Sequence, residues 1–353
     1  MKAKLGALLL CSLFAAGTLR SQSTPAQSLL ILAKRDQTLS IVDPRSLKVI
    51  VRVPVGNDPH EVIASTDGKV AYVSNYGGGA YNTLAVVDLT AQMALPSIDL
   101  GPLRGPHGLT FVDGKTWFTA EAAKVIGRYD PETNKVDWVL GTGQNRTHMI
   151  YVSPYLQRII TTNVNSATVS IIEKVTINSG PPPGAPTGMP MRPPPGGPMG
   201  TPRTDWNETV IPVGRGSEGF DVSPDGKELW VANAQDGTVS IIDVVAKKVT
   251  QTLLANVRGA NRLKFTLDGK LVFISSLGGP DVTVLDAATR KEIKRIPVGH
   301  GAAGILMQPD GARAYVACSP DDYVAVIDLK SLRVTGHIDA GHEPDGLAWA
   351  VQR

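Results

Sequence analysis

Seven times along the chain a short apolar run closes on an acidic residue: SIVD at Asp43, AVVD at Asp88, GRYD at Asp130, SIIE at Glu173, SIID at Asp243, TVLD at Asp286 and AVID at Asp328. Successive marks stand 45, 42, 43, 70, 43 and 42 residues apart. The most regular unit, residues 212–250, shows what one period contains. GFDVS alternates and turns back at Pro224-Asp225-Gly226-Lys227; ELWVAN follows and reverses at Asp236-Gly237; TVSIID and KVTQTL complete the unit. Asp-Gly favours tight reversals because both residues accept positive φ at low cost. Four short strands in a meander leave no room for a helix, and a period of about 40–45 residues built this way is that of a β-propeller blade. Seven marks predict an all-β, seven-bladed propeller.

The interval of 70 has a visible cause. Residues 178–206 run NSGPPPGAPTGMPMRPPPGGPMGTPRTDW, too rich in Pro and Gly to join a sheet. The composition predicts a disordered insertion within blade four. It reads either as a Pro-rich docking segment or as a tolerated loop. The two ends are complementary. Residues 28–53 supply three strands of a blade and lack the first, whereas GHEPDGLAWAVQR supplies a first strand with nothing after it. Pairing them makes one domain over 27–353 and removes the open edges that invite aggregation, so a monomer is expected.

The N-terminus, MKAKLGALLLCSLFAAG, places Lys2 and Lys4 before an apolar run that ends in small residues. That is the layout of a secretory signal peptide within 1–26, with cleavage between Gly17 and Ala26. The expectation is an exported protein, periplasmic, secreted or at the cell surface, with no membrane-spanning segment in the mature chain. Cys11 lies inside the apolar run, which leaves Cys318 alone and no internal disulfide. Thirty-five basic against 32 acidic residues are nearly balanced and give no support for nucleic-acid binding, so no nucleic-acid partner is expected.

The stretches AYVSNYGGGAYNTLAVVDLT, LWVANAQDGTVSIIDV and AYVACSPDDYVAVIDL resemble the YVTN-type propeller repeats of secreted and surface-layer proteins. The resemblance covers nearly the whole mature chain and implies an exported seven-bladed propeller. It implies no single activity, because such propellers include adhesion modules, binding proteins and a few enzymes. Blade three, GPHGLTFVDGKTWFTAEAAKVIGRYDPETNKV, is similar to repeats of the streptogramin lyases, metal-assisted propellers that open a cyclic ester at the channel mouth.

Function is expected where the loops leading into each first strand converge on the central channel. These segments read NDPH, RGPH, NRTH, RGSE, RGAN, HGAA and HEPD, and they hold five of the chain's six histidines, far more than uniform placement would put there. Their last positions, taken round the ring, are Asp345, His60, His107, His148, Glu218, Asn261 and Ala303. Three imidazoles flanked by carboxylates suit a divalent transition metal on His60, His107 and His148, with Glu218 or Asp345 as candidate base. The same histidines could equally fill gaps between blades and hydrogen-bond a neighbouring carbonyl. The first positions offer Arg104, Arg215, Arg258, His300 and His342, which with Arg146 form a candidate set for an anionic ligand; solvated rim residues are the other reading. Tyr76-Gly77-Gly78-Gly79 reads as a rim loop, Cys318 as a small buried residue, and His337 as an outer-strand residue. Two functions follow: a binding protein whose channel-mouth face meets a small ligand, a glycan or a protein, or a metal-dependent hydrolase, lyase or oxidase.

Overall fold

The computed structural model describes residues 23–177 and 203–353. Its strands form seven four-stranded antiparallel sheets. Each sheet is a meander with its first strand innermost. The inner strands are Pro344–Val351 in blade one, then Pro59–Ala64, Pro106–Val112, Thr147–Val152, Ser217–Val222, Ala260–Phe265 and Ala302–Met307 in blades two to seven. Helical structure among the described residues is confined to three single 3-10 turns, and no helix is long and apolar enough to cross a membrane.

The second and third strands of each blade are apolar on both faces because both faces meet a neighbouring blade. In Gln27–Ala33, Leu30 and Leu32 pack with Val62 and Val73 of blade two, while Leu29 and Ile31 pack with Tyr315 and Val326 of blade seven. Alternation along a strand sends successive side chains to opposite faces, so one LLIL run serves two interfaces. Seven such clusters, one at each blade junction, make up the core. Outer strands such as Lys135–Gly141 alternate exposed and half-buried positions, as expected of a strand with water on one side.

The acidic marks are structural. Asp43, Asp88, Asp130, Asp243, Asp286 and Asp328 each accept a backbone N–H from the turn that follows, as in Asp43 Oδ1 with the Arg45 amide at 2.9 Å. Glu173 instead holds Arg158 and Lys247 at 2.6 Å each. The expected insertion starts inside a longer hairpin. Thr168–Ile177 pairs along its full length with Arg203–Pro212, and Lys174 lies 5.3 Å from the Trp206 ring centroid. Residues 203–206 therefore belong to the sheet; 178–202 lie outside the described residues, as does the stretch 1–22 that carries the signal-like sequence.

The ring closes as the two ends of the sequence imply. Gln27–Ala33 pairs antiparallel with Pro344–Val351, setting Leu29 opposite Trp349 and Leu30 opposite Ala348. Deleting residues 342–353 removes that strand and opens two core clusters. The expected cost is about 3 kcal/mol or more, since losing single buried side chains costs about 2–5 kcal/mol. Urea unfolding and limited proteolysis check this; a truncated chain with the full-length midpoint and protease resistance would show that the ring does not depend on its closure.

Candidate functional site

A shared backbone irregularity builds the site. Six inner strands carry a bulge just after their first residue: Pro59 pairs with Asn75 but Val62 with Val73, so His60 and Glu61 share the space of one residue. The same shift recurs after Pro106, Thr147, Ser217, Ala260 and Ala302, and blade one repeats it between Pro344 and Leu347. A bulge breaks the two-residue alternation and re-aims a side chain. Here it turns the second residue of every inner strand, Asp345, His60, His107, His148, Glu218, Asn261 and Ala303, into one cavity of about 310 Å³.

Bulging leaves backbone groups to satisfy, and hydroxyls on the second strands do so. Thr119 accepts the Gly108 N–H at 2.9 Å and donates to the His148 carbonyl of the next blade at 2.6 Å. Thr162 accepts from Met149 and donates to the Glu218 carbonyl at 2.7 Å. Ser275 accepts from Arg262 and donates to the Ala303 carbonyl at 2.9 Å. Each hydroxyl thus ties one blade's bulge to the next and fixes where the next ring residue sits. At the following position Gly108, Gly219, Gly304 and Gly346 meet the neighbouring inner strand so closely that a Cβ would fall within 2.5 Å of its carbonyl oxygen.

The residue before each inner strand is left-handed in all seven blades. Four blades use glycine there, Gly105, Gly216, Gly259 and Gly301; the others use Asp58, Arg146 and Glu343 at φ between +47° and +58°. Non-glycine residues held in this region cost about 1–3 kcal/mol and cluster at functional sites. Asp58 and Arg146 both reach the cavity residues. Asp58 Oδ1 lies 3.1 Å from His60 Nε2, and its other oxygen accepts the Gly77 N–H at 2.8 Å. Arg146 binds Glu121 Oε2 at 3.3 Å and Glu218 Oε1 at 3.2 Å.

His107 and His148 are each 2 % exposed, with ring centroids 3.9 Å apart; His60 lies 5.2 Å from His107. His148 sits between two carboxylates. Nδ1 makes a very short contact with Glu121 Oε1, and Nε2 lies 2.8 Å from Glu218 Oε2, although off the hydrogen-bond line. Burial opposes a charge on His148, but Glu218 and Glu121 outweigh it and raise its pKa above the ordinary value. Burial likewise opposes a charge on Glu218, yet His148 and then Arg146 hold its pKa down to about 2. Glu121 is also lowered, against its burial, by His148, Tyr76 and Arg146. His107 differs. Burial first, then the His148 charge, push it well below the usual histidine range, and its Nδ1 has no hydrogen-bond partner.

Glu121 was not among the residues singled out in the sequence. It follows the second strand of blade three, a register that also supplies Lys34, Tyr76, Leu277 and Ser319 to the site or its wall. The Tyr76 hydroxyl donates to Glu121 at 2.5 Å, so this tyrosine is part of the site rather than a loose rim residue. His107, His148 and Glu121 each offer a donor atom, all within 4.8 Å of one another. His60 falls outside that group, its nitrogens facing Asp58 and, at 3.4 Å, Asp345, which also holds Lys34 at 3.2 Å. Across the channel Arg262 makes a very short ion pair with Glu61.

The first register does not converge as anticipated. Arg104, Arg215, Arg258, His300 and His342 are exposed and absent from the cavity wall; of that proposed set only Arg146 lines it. For three of them the cause is an aspartate on the adjacent loop. Asp236, Asp321 and Asp36 accept the backbone N–H of Arg215, His300 and His342 and hold their side chains on the outer rim. Cys318 is fully buried and its thiol is pushed up to about 12 by burial. His337 lies on an outer strand against Tyr323.

No protein-family model matches the chain, and no curated protein is detectably similar to it. Solved structures share the fold. A functionally unknown protein from Desulfotomaculum acetoxidans superposes with a TM-score of 0.69 at 13% identity, covering 92% of this chain and 99% of the other. A Bacteroides uniformis protein provisionally assigned as a 6-phosphogluconolactonase gives 0.70 at 14%, with the same coverage of 92% and 99%. Kuenenia stuttgartiensis hydrazine synthase gives 0.67 at 18%, covering 89% and 99%. At these identities the likeness is one of architecture.

Two outcomes are expected. Thr119→Val and Thr162→Val keep the side-chain shape but leave a buried N–H and carbonyl unpaired, so each should lose about 1–3 kcal/mol in urea unfolding. The ion network sets a pH optimum for the protein in chelator. Glu218, lowered from 4.5 to about 2, contributes stability that is complete above 4.5 and lost as pH falls towards 2. His148, raised above 6.5, contributes stability that is complete below 6.5 and lost as pH rises through its folded value. His107, held neutral, adds a cost that grows as pH falls below 6.5, so stability should peak near 6.5, and Glu218→Gln should make the acid limb of the stability–pH curve shallower.

Proposed function

We propose that the channel mouth holds a divalent transition metal on His107, His148 and Glu121 and uses it to act on a small molecule, as a metal-dependent hydrolase or lyase. The observation that carries this is the buried His107 Nδ1, unpartnered on an imidazole held neutral, beside two further donors. A neutral imidazole is the metal-binding form, and buried polar atoms without partners are rare enough to demand a reason. Two histidines that line the cavity and one carboxylate behind them are a donor set of the zinc or non-haem iron kind. Charge supports the same reading. With His148 neutral, as a metal ligand must be, Asp58, Glu61, Glu121, Glu218 and Asp345 stand against Lys34, Arg146 and Arg262, a deficit of two positive charges that a divalent ion would balance in place of the His148 proton.

In such a centre the metal polarises an oxygen of the bound molecule or lowers the pKa of a bound water. The chain's own groups do the rest. Arg146 holds Glu121 and Glu218 in place, and Tyr76 fixes the second oxygen of Glu121, an outer-shell contact of the kind that orients a ligand. Asp58 orients His60 towards Asp345 at the cavity wall, where the pair can exchange a proton with a bound molecule. Glu218, tied to His148 and Arg146, serves better as a fixed charge than as the base. Export, implied by the N-terminal sequence, would place this chemistry outside the cytoplasm.

A metal-free binding site is the second reading, and the ion network favours it: Glu121, His148, Glu218 and Arg146 compensate one another without an added ion. Metal content decides. Protein isolated from the export compartment and dialysed with zinc, manganese or cobalt should retain about one ion per chain. His107→Ala and Glu121→Gln should each lower that affinity by about tenfold or more with the propeller's circular dichroism unchanged. Wild-type protein that retains none of the three metals would sink the metal reading.

A further inference from the structure

The cavity wall is divided. Blades two to five present His60, His107, His148, Arg146 and Glu218, whereas the arc from blade six to seven is formed by Leu277, Gly301, Ala303 and Pro320, with Asn261, Ser319 and the ion-paired Arg262 as its polar members. Ala303 is the one ring residue without a functional group. Its place is no slack in the fold: the Ser275 hydroxyl holds its carbonyl by the same device that fixes His148 and Glu218. Its side chain is 5 % exposed, and its methyl keeps that sector of the wall flat. Leu277 lines the same cavity and is 51% exposed, an apolar residue open to solvent.

The cations on the wall are all engaged. Lys34 holds Asp345, Arg262 holds Glu61, and Arg146 holds Glu121 and Glu218. Asn261 Oδ1 accepts from Arg262 at 3.2 Å, which leaves its amide nitrogen as a neutral donor. The wall therefore offers no free positive charge to a phosphate or other multiply charged anion.

From this division we infer the class of molecule the site takes: a small carbonyl compound, neutral or singly charged, whose oxygen reaches the metal-binding half while a compact apolar body lies along Ala303, Pro320 and Leu277. Ala303 and Leu277 are then its specificity-determining residues. The inference rests on the metal reading above, and it fits a cavity of about 310 Å³, which holds a group of phenyl size.

Hydroxamates test it on cobalt-loaded protein, because acetohydroxamate and benzohydroxamate share one metal-seeking head and differ only in the apolar body. Affinities are read from the visible cobalt spectrum, and cobalt content is measured on the same samples. Wild type should bind benzohydroxamate at least about tenfold more tightly than acetohydroxamate, the usual scale for filling an apolar subsite. Inorganic phosphate should displace neither. Ala303→Leu should bring the ratio close to one while acetohydroxamate affinity and cobalt content stay within about twofold. Leu277→Ser, on the exposed rim, should lower the ratio without touching the core and serves if the first variant folds poorly. Cobalt-loaded wild type with no preference, or a preference that survives both substitutions, overturns the inference alone. Protein that holds no cobalt overturns the metal reading and the inference with it.

Discussion

Everything in this molecule depends on the pairing of Gln27–Ala33 with Pro344–Val351. A row of blades packed face to face would otherwise end in two bare interfaces, each lacking about half of an apolar cluster. Joining them converts an open stack into a ring in which every blade has two neighbours and every cluster two walls. Among the described residues no disulfide assists, since the buried Cys318 stands alone there. Core packing and closure supply all the cohesion, which is why the long apolar runs of the second and third strands leave so little of their surface to water.

Closure also makes the channel a place where chemistry can gather. A ring of inner strands brings one residue from each blade to a common height, and the bulge turns all of them inward. Evolution of such a site needs no new backbone, only new side chains at an existing register. The left-handed position ahead of each inner strand shows the same economy. Glycine satisfies it in four blades, while Asp58 and Arg146 accept an unfavourable backbone and use it to reach His60, Glu121 and Glu218.

The architecture was legible in the amino-acid sequence because it is written seven times, and because Asp-Gly reversals and acidic turn residues are local signals. The inner register was legible for a related reason: histidines stood out once equivalent positions were set side by side. Glu121 and Tyr76 were not, because they lie one residue beyond the second strand, outside the entry register that drew attention, and nothing local distinguishes TAEAAK from a solvated turn. The fate of Arg104, Arg215 and Arg258 was hidden as well. A side chain's direction at a rim depends on partners such as Asp236, more than twenty residues away in the chain, and on a bulge that alternation alone does not reveal.

One consequence lies in the Lys34–Asp345 ion pair. Lys34 directly follows the first described strand and Asp345 belongs to the last, so the seam where the ring was sealed forms part of the cavity wall. A molecule seated there touches both sides of the seam. By mass action such an occupant stabilises the sealed ring, with the logarithm of its concentration relative to its dissociation constant. The cavity is then a rivet hole as well as a binding site: whatever fills it slows the parting of the two ends, and the lifetime of the folded ring becomes a measure of what the surroundings contain.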